Sequence, residues 1–255
     1  MKIASWNVNS LKVRMPHLEA WVQEARPDVL ALQEIKMETA AFPAEALRAM
    51  GYESVASGQK TYNGVAILSR APLAHPLTDV EGYADEQRRL LAATVGDLRV
   101  VNLYVVNGQA VDSDKYRYKL QWFEAVTQWI ARELQQYPNL VVLGDFNIAP
   151  DDRDVHDPEA WFEQVHCSTP ERDALKRLLA LGLHDSFRLV ESAGGQYSWW
   201  DYRAAAFRRN LGLRIDLALV SEALRPRVSA VGIDRVPRTW ERPSDHAPVW
   251  VEIAE

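Results

Sequence analysis

Short apolar runs recur along this chain with the length and spacing of buried β-strands. They cover residues 2–6, 28–34, 64–69, 90–95, 99–106, 140–147, 215–221 and 248–253. The runs at 90–95 and 99–106 are separated by only three residues, so they are predicted to pair as an antiparallel hairpin. A hairpin of this kind argues against a purely parallel, doubly wound sheet.

Two segments between these runs have the periodicity of amphipathic helices. In residues 16–25 the apolar positions share one face, Pro16 fits a first turn, and Arg26 before Pro27 is predicted to end the helix. A longer helix is predicted over residues 115–135, with an inner face formed by Leu120, Phe123, Ile130 and Leu134. Because no repeat and no glycine- or serine-rich linker interrupts this alternation, we expect one mixed α/β domain over residues 1–255.

The composition is that of an ordinary globular protein. Of 255 residues, 47% are apolar and 25% are charged, and no stretch approaches the roughly 18 consecutive apolar residues of a membrane span. The first residues lack the apolar segment of a signal peptide, and the single cysteine, Cys167, permits no intrachain disulfide. These features predict a cytoplasmic protein without membrane contact.

The net charge of −6 argues mildly against broad electrostatic binding to nucleic acid, but charge can be concentrated locally. Residues 115–119 are basic, and residues 202–214 lack any carboxylate and carry Arg203, Arg208, Arg209 and Arg214. A cluster of metal-binding carboxylates would account for part of the overall acidity. Scattered surface charge explains it equally well.

Polar side chains stand at or just beyond one end of several predicted strands. They are Asn7, Glu34, Asp145 with Asn147, Asp216, and Asp245 with His246. A single acid at such a place is usually a turn residue or a cap, but several of them can converge on one rim of a sheet. Oxygen ligands of this kind suit Mg²⁺ or Mn²⁺ rather than zinc. The pattern therefore predicts a cation site that could receive an anionic substrate.

Six motifs then resemble those of a known family. They are SWNVNSL (5–11), LQEIK (32–36), NLYVVNG (102–108), GDFNIAP (144–150), GLRIDLALVS (212–221) and PSDHAPV (243–249). In this order and over this much of the chain, they resemble the exonuclease III family of bacterial DNA-repair nucleases, in the endonuclease/exonuclease/phosphatase superfamily. The resemblance implies a DNase I-like fold, which is a four-layer α/β sandwich of two mainly antiparallel sheets flanked by helices.

The resemblance also implies the residues that hold the cation and activate water. Glu34 would be the principal Mg²⁺ ligand, with Asn7 and Asp245 beside it, and Mn²⁺ would be able to replace Mg²⁺. Asp145 would orient and deprotonate the attacking water, while Asn147 would position that water or a phosphate oxygen.

Three further residues are implied to act on the phosphate. His246, held by a buried Asp216, would hydrogen-bond the phosphate and stabilise its negative charge, and Tyr104 would lie near it. The family usually has proline where Val106 stands, so the loop after Tyr104 is expected to be less rigid here.

By the same resemblance, the expected partner is double-stranded DNA with 3′ ends, nicks or abasic sites, bound by a monomer. Trp199 corresponds to an aromatic residue that lines the pocket for the DNA sugar, with Leu213 in the same group. Arg203, Arg208 and Arg209, together with Arg214, are expected to contact phosphates. The expected activity is removal of nucleotides and blocking groups from 3′ ends, with abasic-site incision as a second activity.

His166 and Cys167 suggest a thiol nucleophile with its base, or half of a zinc site. Adjacent residues in an extended loop rarely reach each other, and no second cysteine is available, so Cys167 is expected to be a packing residue. In the resembled family this loop borders the abasic-sugar pocket, and the residue matching His166 is commonly small. An imidazole there would narrow the pocket, as in a subgroup of 3′–5′ exonucleases, and would favour exonuclease over abasic-site cleavage. The alternative is that His166 only hydrogen-bonds within the loop.

Other functional interpretations remain open at this point. A superfamily phosphodiesterase for lipid or inositol phosphates would share the metal site, although no apolar segment suited to membrane insertion is evident. A non-catalytic DNA-binding relative is disfavoured by the intact acidic residues. Ser244, Asp245 and His246 do not indicate a serine hydrolase, because neighbours in an extended segment point to opposite sides and the chain has no G-x-S-x-G motif.

Overall fold

The computed structural model describes residues 1–255, which form fourteen strands and five α-helices. In chain order these are β1 (Lys2–Asn7), α1 (Leu11–Ala25), β2 (Val29–Gln33), α2 (Ala44–Ala49), β3 (Glu53–Ser57), β4 (Val65–Ser69), β5 (Leu73–Leu77), β6 (Leu90–Val95), β7 (Leu98–Tyr104), α3 (Asp114–Gln136), β8 (Leu140–Asp145), α4 (Thr169–Leu179), β9 (Leu183–Asp185), α5 (Ser186–Val190), β10 (Trp199–Trp200), β11 (Gly212–Leu213), β12 (Asp216–Ser221), β13 (Val228–Ile233) and β14 (Val249–Ile253). No helix combines the length and the apolar character that a membrane span requires.

Twelve of the strands form two six-stranded sheets of similar design. The first has the order β13-β14-β1-β2-β4-β3, the second has the order β5-β6-β7-β8-β12-β9, and β10 pairs with β11. Only β1–β2 and β7–β8 are parallel pairs, and each is connected through a helix, α1 or α3. All other pairs are antiparallel, including the hairpin of β6 and β7. The expected fold with two mainly antiparallel sheets is therefore confirmed.

Alternation along the strands generates the four layers, because successive side chains of a strand point to opposite faces. In β1, Ile3 packs in the core between the sheets, whereas Ala4 packs in the core under α1. In β6, Leu91 lies between the sheets and Ala92 lies in the core under α3 and α4. A strand that is buried on both faces has apolar residues at nearly every position, so these strands could be predicted from the sequence.

Helix α1 begins earlier than its pattern predicts. Its N-cap is Ser10, whose side chain accepts from the Val13 amide, and Pro16 lies inside the helix rather than in its first turn. The start is fixed by tertiary contacts, since the backbone amides of Ser10 and Leu11 donate to the carbonyls of Glu34 and Ile35. The predicted end at Arg26 is confirmed, because this residue is the left-handed C-cap.

Candidate active site

The two parallel strand pairs end at one rim of the sandwich. Asn7 ends β1, Glu34 follows β2, Tyr104 ends β7 and Asp145 ends β8. The Asn7 amide nitrogen donates to Glu34 Oε1 and to Asp145 Oδ2, both at 2.9 Å, so a single side chain connects the two sheets at this rim. The convergence expected from the strand ends is therefore present.

A buried histidine lies between two carboxylates beside this pair. Strand β12 starts at Asp216, which is in register with Asp145 of β8. His246 Nδ1 lies 2.8 Å from Asp216 Oδ2, and its Nε2 lies 3.6 Å from Asp145 Oδ2. Burial alone would lower the pKa of His246, but the charges of Asp216 and Asp145 hold that pKa well above 6.5. The imidazole is therefore positively charged.

Asp145, on the other side of the His246 ring, is a carboxylate that is partly protonated near neutral pH. Burial, together with the nearby charge of Asp216, raises its pKa to about 7, although His246 and the Asn7 amide favour the ionised form. Its Oδ1 accepts from the Asn147 backbone amide at 3.0 Å. A carboxylate with this pKa can accept a proton near neutral pH.

The ligand atoms of Glu34, Asp145 and His246 lie within 4.8 Å of one another, a grouping tight enough for a metal ion. While its imidazole is protonated, His246 has no free lone pair, so the two carboxylates are the available ligands. Glu34 has a positive φ of 51°, and its side chain is 19% exposed. Glu34 is partly exposed and Asp145 is buried beside it, and two carboxylates together fit a hard divalent cation. Of the other expected ligands, Asn7 joins Glu34 to Asp145. Asp245 accepts from Asn9 at 3.1 Å and from Trp199 Nε1 at 3.0 Å, outside that group.

Tyr104 borders the same site as a neutral phenol. Burial and the negative charge of Glu34 raise its pKa well above 10, although the guanidinium of Arg89, 4.6 Å from its ring centre, opposes the shift. In the loop that follows, Val106 is buried and the Val105 amide donates to the Asp145 carbonyl at 2.9 Å. Tyr104 can therefore donate a hydrogen bond to a phosphate.

Asn147 is fixed from both sides. It has a positive φ of 49°, and its amide nitrogen donates to the Val105 carbonyl at 2.9 Å. Its own carbonyl accepts from Lys119 Nζ at 2.6 Å and from His166 Nδ1 at 2.7 Å. Lys119 is fully buried and forms an ion pair with Glu171, which is also fully buried. This network behind Asn147 positions a predicted catalytic side chain.

His166 and Cys167 do not form a catalytic dyad. The His166 ring is bonded to Asn147 and lies 6.3 Å from the ring of Trp161, and burial together with the Lys119 charge lowers its pKa to about 4. Burial raises the pKa of the Cys167 thiol to about 12, and the thiol packs in a small apolar cluster. Cys167 is therefore a packing residue, as expected.

The residues expected to contact DNA differ in accessibility. Trp199 is half-buried beside Asp245. Leu213 pairs with Trp199 in the two-stranded sheet and is fully buried. Three arginines in the loop between β10 and β11 are exposed and have no carboxylate within 4.0 Å, namely Arg203, Arg208 and Arg209. They are free to contact an anion.

Arg214 was expected to contact phosphates, and its surroundings do not fit that role. It is buried, and its guanidinium binds Asp154 and Asp185, each at 2.6 Å. Burial alone would lower its pKa, but these two carboxylates raise it. With both carboxylates occupying its donors, Arg214 stabilises the loop and does not contact phosphate.

The sequence did not identify the buried residues that hold the backbone of the site in place. Ser198 Oγ accepts from the backbone amides of Ile215 and Asp216, at 3.1 and 3.0 Å, and so fixes the start of β12. A local signal existed only for Glu171, which forms a capping box with Ser168 at the start of α4. Lys119 lies on the inward face of α3, where most of the other buried positions are apolar, and nothing local marks it as buried.

Comparisons with known proteins agree with this geometry. The Endonuclease/Exonuclease/phosphatase family model matches residues 4–246. Exodeoxyribonuclease III of Haemophilus influenzae is 37% identical over 269 residues, which cover 99% of this chain and 100% of the relative.

Solved structures are also similar over their whole length. A variant of the 3′ phosphatase NExo from Neisseria, bound to a product DNA hairpin, has a TM-score of 0.99 and 50% identity, with full coverage of both chains (100%). The 3′–5′ exonuclease NExo from Neisseria meningitidis has a TM-score of 0.98 and 51% identity, with the same coverage (100%). An AP endonuclease from Archaeoglobus fulgidus has a TM-score of 0.96 and 35% identity, with 99% of each chain covered.

Proposed function

Since this chain belongs to the exonuclease III family of the endonuclease/exonuclease/phosphatase superfamily and is an exonuclease III-type DNA-repair nuclease, we propose that it removes nucleotides and blocking phosphates from the 3′ ends of duplex DNA. The observation that carries this proposal is the grouping of Glu34, Asp145 and His246 within 4.8 Å, at a rim to which both sheets contribute. The similarity to NExo, which is named as both an exonuclease and a 3′ phosphatase, supports the 3′ end as the place of action.

The cation that we propose is Mg²⁺, with Mn²⁺ as a substitute, held chiefly by Glu34 with Asp145 beside it. These carboxylate oxygens are the ligands that both ions prefer. When bound, the ion supplies neutralisation of phosphate charge and stabilisation of the leaving oxygen. Asn7 holds both carboxylates in place through its amide nitrogen.

The protein's own groups divide the remaining chemistry. Asp145, with its raised pKa, orients a water molecule and accepts its proton. Protonated His246, held by Asp216, donates to a phosphate oxygen and stabilises the negative charge that develops there. Tyr104 donates a second hydrogen bond to the phosphate, and Asn147 positions the water or another phosphate oxygen.

Nuclease activity is tested with labelled duplex DNA in the presence of Mg²⁺. We expect stepwise shortening from the 3′ end, abolished by EDTA and restored by added Mg²⁺. Asp145→Asn keeps the shape of the side chain but accepts no proton, so kcat should fall by about 10²–10⁴-fold. DNA cleavage that persists at full rate in EDTA would contradict the proposal. A matched loss in a half-exposed control, Asp173→Asn on α4, would contradict the role of Asp145.

We also propose that exonuclease activity exceeds abasic-site incision because of His166. Its imidazole fills the space between Asn147 and Trp161, where a smaller residue would leave room for a flipped-out sugar. His166→Ser should therefore raise the ratio of abasic-site incision to 3′ exonuclease activity, measured on two duplexes of otherwise equal sequence. Cys167→Ser is the adjacent control and should leave the ratio unchanged. An unchanged ratio in His166→Ser would refute the specificity role.

A further inference from the structure

Three buried polar side chains lie between the two sheets, directly below the rim that carries the candidate active site. They are Ser5 of β1, Gln33 of β2 and Asn102 of β7, and all three are fully buried. Each stands one or two residues before a residue of the site, namely Asn7, Glu34 or Tyr104. We call these three buried residues the polar layer.

Alternation along the strands shows which way the polar layer faces, because side chains two positions apart in a strand share a face. Ile3, Ala31 and Val100 each lie two residues before one of its members, and all three belong to the apolar core between the sheets. Along these strands, the space between the sheets therefore changes from an apolar core to the polar layer and then to the site at the rim.

Asn102 connects the second sheet to the first. Its amide nitrogen donates to the carbonyls of Leu32 and Ala66, both at 2.9 Å, and its amide oxygen accepts from Gln33 Nε2 at 2.8 Å. Gln33 Nε2 also donates to Ser5 Oγ at 3.0 Å. The two backbone carbonyls require a donor, so they fix the orientation of the Asn102 amide and, through it, that of the Gln33 amide.

Stability of the fold does not explain the polar layer. Gln33 Oε1 is buried and makes no hydrogen bond with the protein, a cost that an apolar residue of similar shape would avoid. Apolar contacts are non-directional, whereas hydrogen bonds fix both distance and angle. The polar layer therefore provides a defined spacing between the sheets that apolar packing would leave less restricted.

The site requires such a spacing because its two carboxylates come from different sheets. Glu34 follows a strand of the first sheet, and Asp145 ends a strand of the second. We propose that Gln33 and Asn102 are positioning residues, which set the separation of these carboxylates and thereby the affinity for the cation. This inference rests on the proposed function, because the cation site is part of it.

The test replaces both amides with apolar side chains of similar size, in the double variant Gln33→Met with Asn102→Leu. Its thermal unfolding midpoint without metal should equal or exceed that of the wild type, because both partners of the bond are removed together. The Kd for Mn²⁺, measured on the DNA-free protein from the paramagnetic resonance of the free ion, should rise by about tenfold, as when groups that orient metal ligands are lost. The loss is partial, since Asn7 still holds both carboxylates.

Two further variants separate positioning from a general effect on the fold. Gln33→Met alone keeps the bonds of Asn102 to the two carbonyls, and its Kd should rise by about threefold even if the double variant does not fold. Thr127→Val is the control, because it removes a buried hydroxyl that bonds only within α3, and it should bind Mn²⁺ as the wild type does.

An unchanged Kd for Mn²⁺ in Gln33→Met and in the double variant would overturn the proposal, whatever their unfolding midpoints. An equal rise in Thr127→Val would overturn it as well. A wild-type protein that cleaves DNA at full rate in EDTA would instead refute the proposed function.

Discussion

The carbonyl of Asn147 receives hydrogen bonds from two buried donors of different charge. Lys119 Nζ and His166 Nδ1 both reach it, and an amide oxygen has two lone pairs with which to accept them. Because Lys119 brings a positive charge to this place, a second charge on His166 would be repelled. Burial and this repulsion lower the pKa of His166 to about 4, so the folded protein holds it neutral.

A pH dependence of stability follows from that neutral state. Unfolded His166 binds a proton below its ordinary pKa of 6.5, whereas folded His166 binds one only below about 4. The unfolded state therefore gains protons first, and the free energy of unfolding should fall as pH is lowered through this window, by up to about 3 kcal/mol. His166→Asn should reduce the fall by that amount, measured by denaturant unfolding at several pH values.

The comparison of wild type and variant removes the contribution of the other acidic groups, which titrate in both proteins. Cys167→Ser is the neighbouring control and should follow the wild-type pH profile. Parallel profiles for the wild type and His166→Asn would show that the folded protein does not keep His166 neutral.

At the residue scale, the sequence predicted groups that lie at strand ends and missed groups that act across the fold. Glu34, Asp145 and His246 follow or precede apolar runs, so position along the chain marks them. Arg89 carries no such mark, since its burial depends on Gln87 and on Tyr104 from the neighbouring strand. Arg214 was misjudged because the sequence does not show that Asp154 and Asp185 lie against it.

At the element scale, strands buried on both faces were predicted and edge strands were not. β4 and β8 are apolar throughout or nearly so, and every one of their residues is buried. β3, β5 and β13 lie at or next to sheet edges and are mostly exposed or half-buried. Edge strands tolerate polar residues and, in β5, a proline, so their sequences lack the pattern of a strand.

Helices α3 and α4 meet at the buried ion pair of Lys119 and Glu171. Glu171 also accepts from the Ser168 hydroxyl at 2.6 Å and from the His166 amide at 3.1 Å, so it ties the start of α4 to the His166 loop. The pair is therefore the connection through which two helices fix the carbonyl of Asn147. Its removal should affect stability and catalysis by different routes.

Lys119→Met should lower the free energy of unfolding by about 3–5 kcal/mol, because it leaves Glu171 buried without its cation. Lys119→Met combined with Glu171→Gln removes both charges and should recover most of that loss. It should not recover kcat, since the Asn147 carbonyl has lost Lys119 Nζ and keeps only His166 Nδ1 as a donor. Denaturant unfolding and steady-state kinetics on the same three proteins measure the two effects.

Arg117→Met is a matched control on the same helix. Its side chain is 60% exposed, forms an ion pair with Asp114 and donates to the Asp112 carbonyl at the surface, so stability should change by no more than about 0.5 kcal/mol. Full recovery of kcat in the double variant would show that the pair stabilises the fold without positioning Asn147.

For the whole molecule, the overall acidity does not describe the surface that meets the substrate. Acidic side chains concentrate at the rim around Glu34, Asp145 and Asp245, where a cation can neutralise them. Exposed arginines lie in the loop between β10 and β11, which follows Trp199 beside Asp245. Arg89 stacks on the ring of Tyr104, which ends β7. The net charge of −6 and binding to DNA are therefore compatible, because recognition depends on the distribution of charge.

The rim also makes metal binding a property of the entire fold. Glu34 follows a strand of the first sheet and Asp145 ends a strand of the second, so a cation held by both connects the two halves. Such an ion binds only the folded state, and Mg²⁺ at 100 times its Kd should raise the free energy of unfolding by about 2.7 kcal/mol. Glu34→Gln should abolish this gain, whereas Glu38→Gln, an exposed neighbour, should keep it. Thermal unfolding with and without Mg²⁺ measures the gain independently of activity, and an equal gain in Glu34→Gln would place the ion elsewhere.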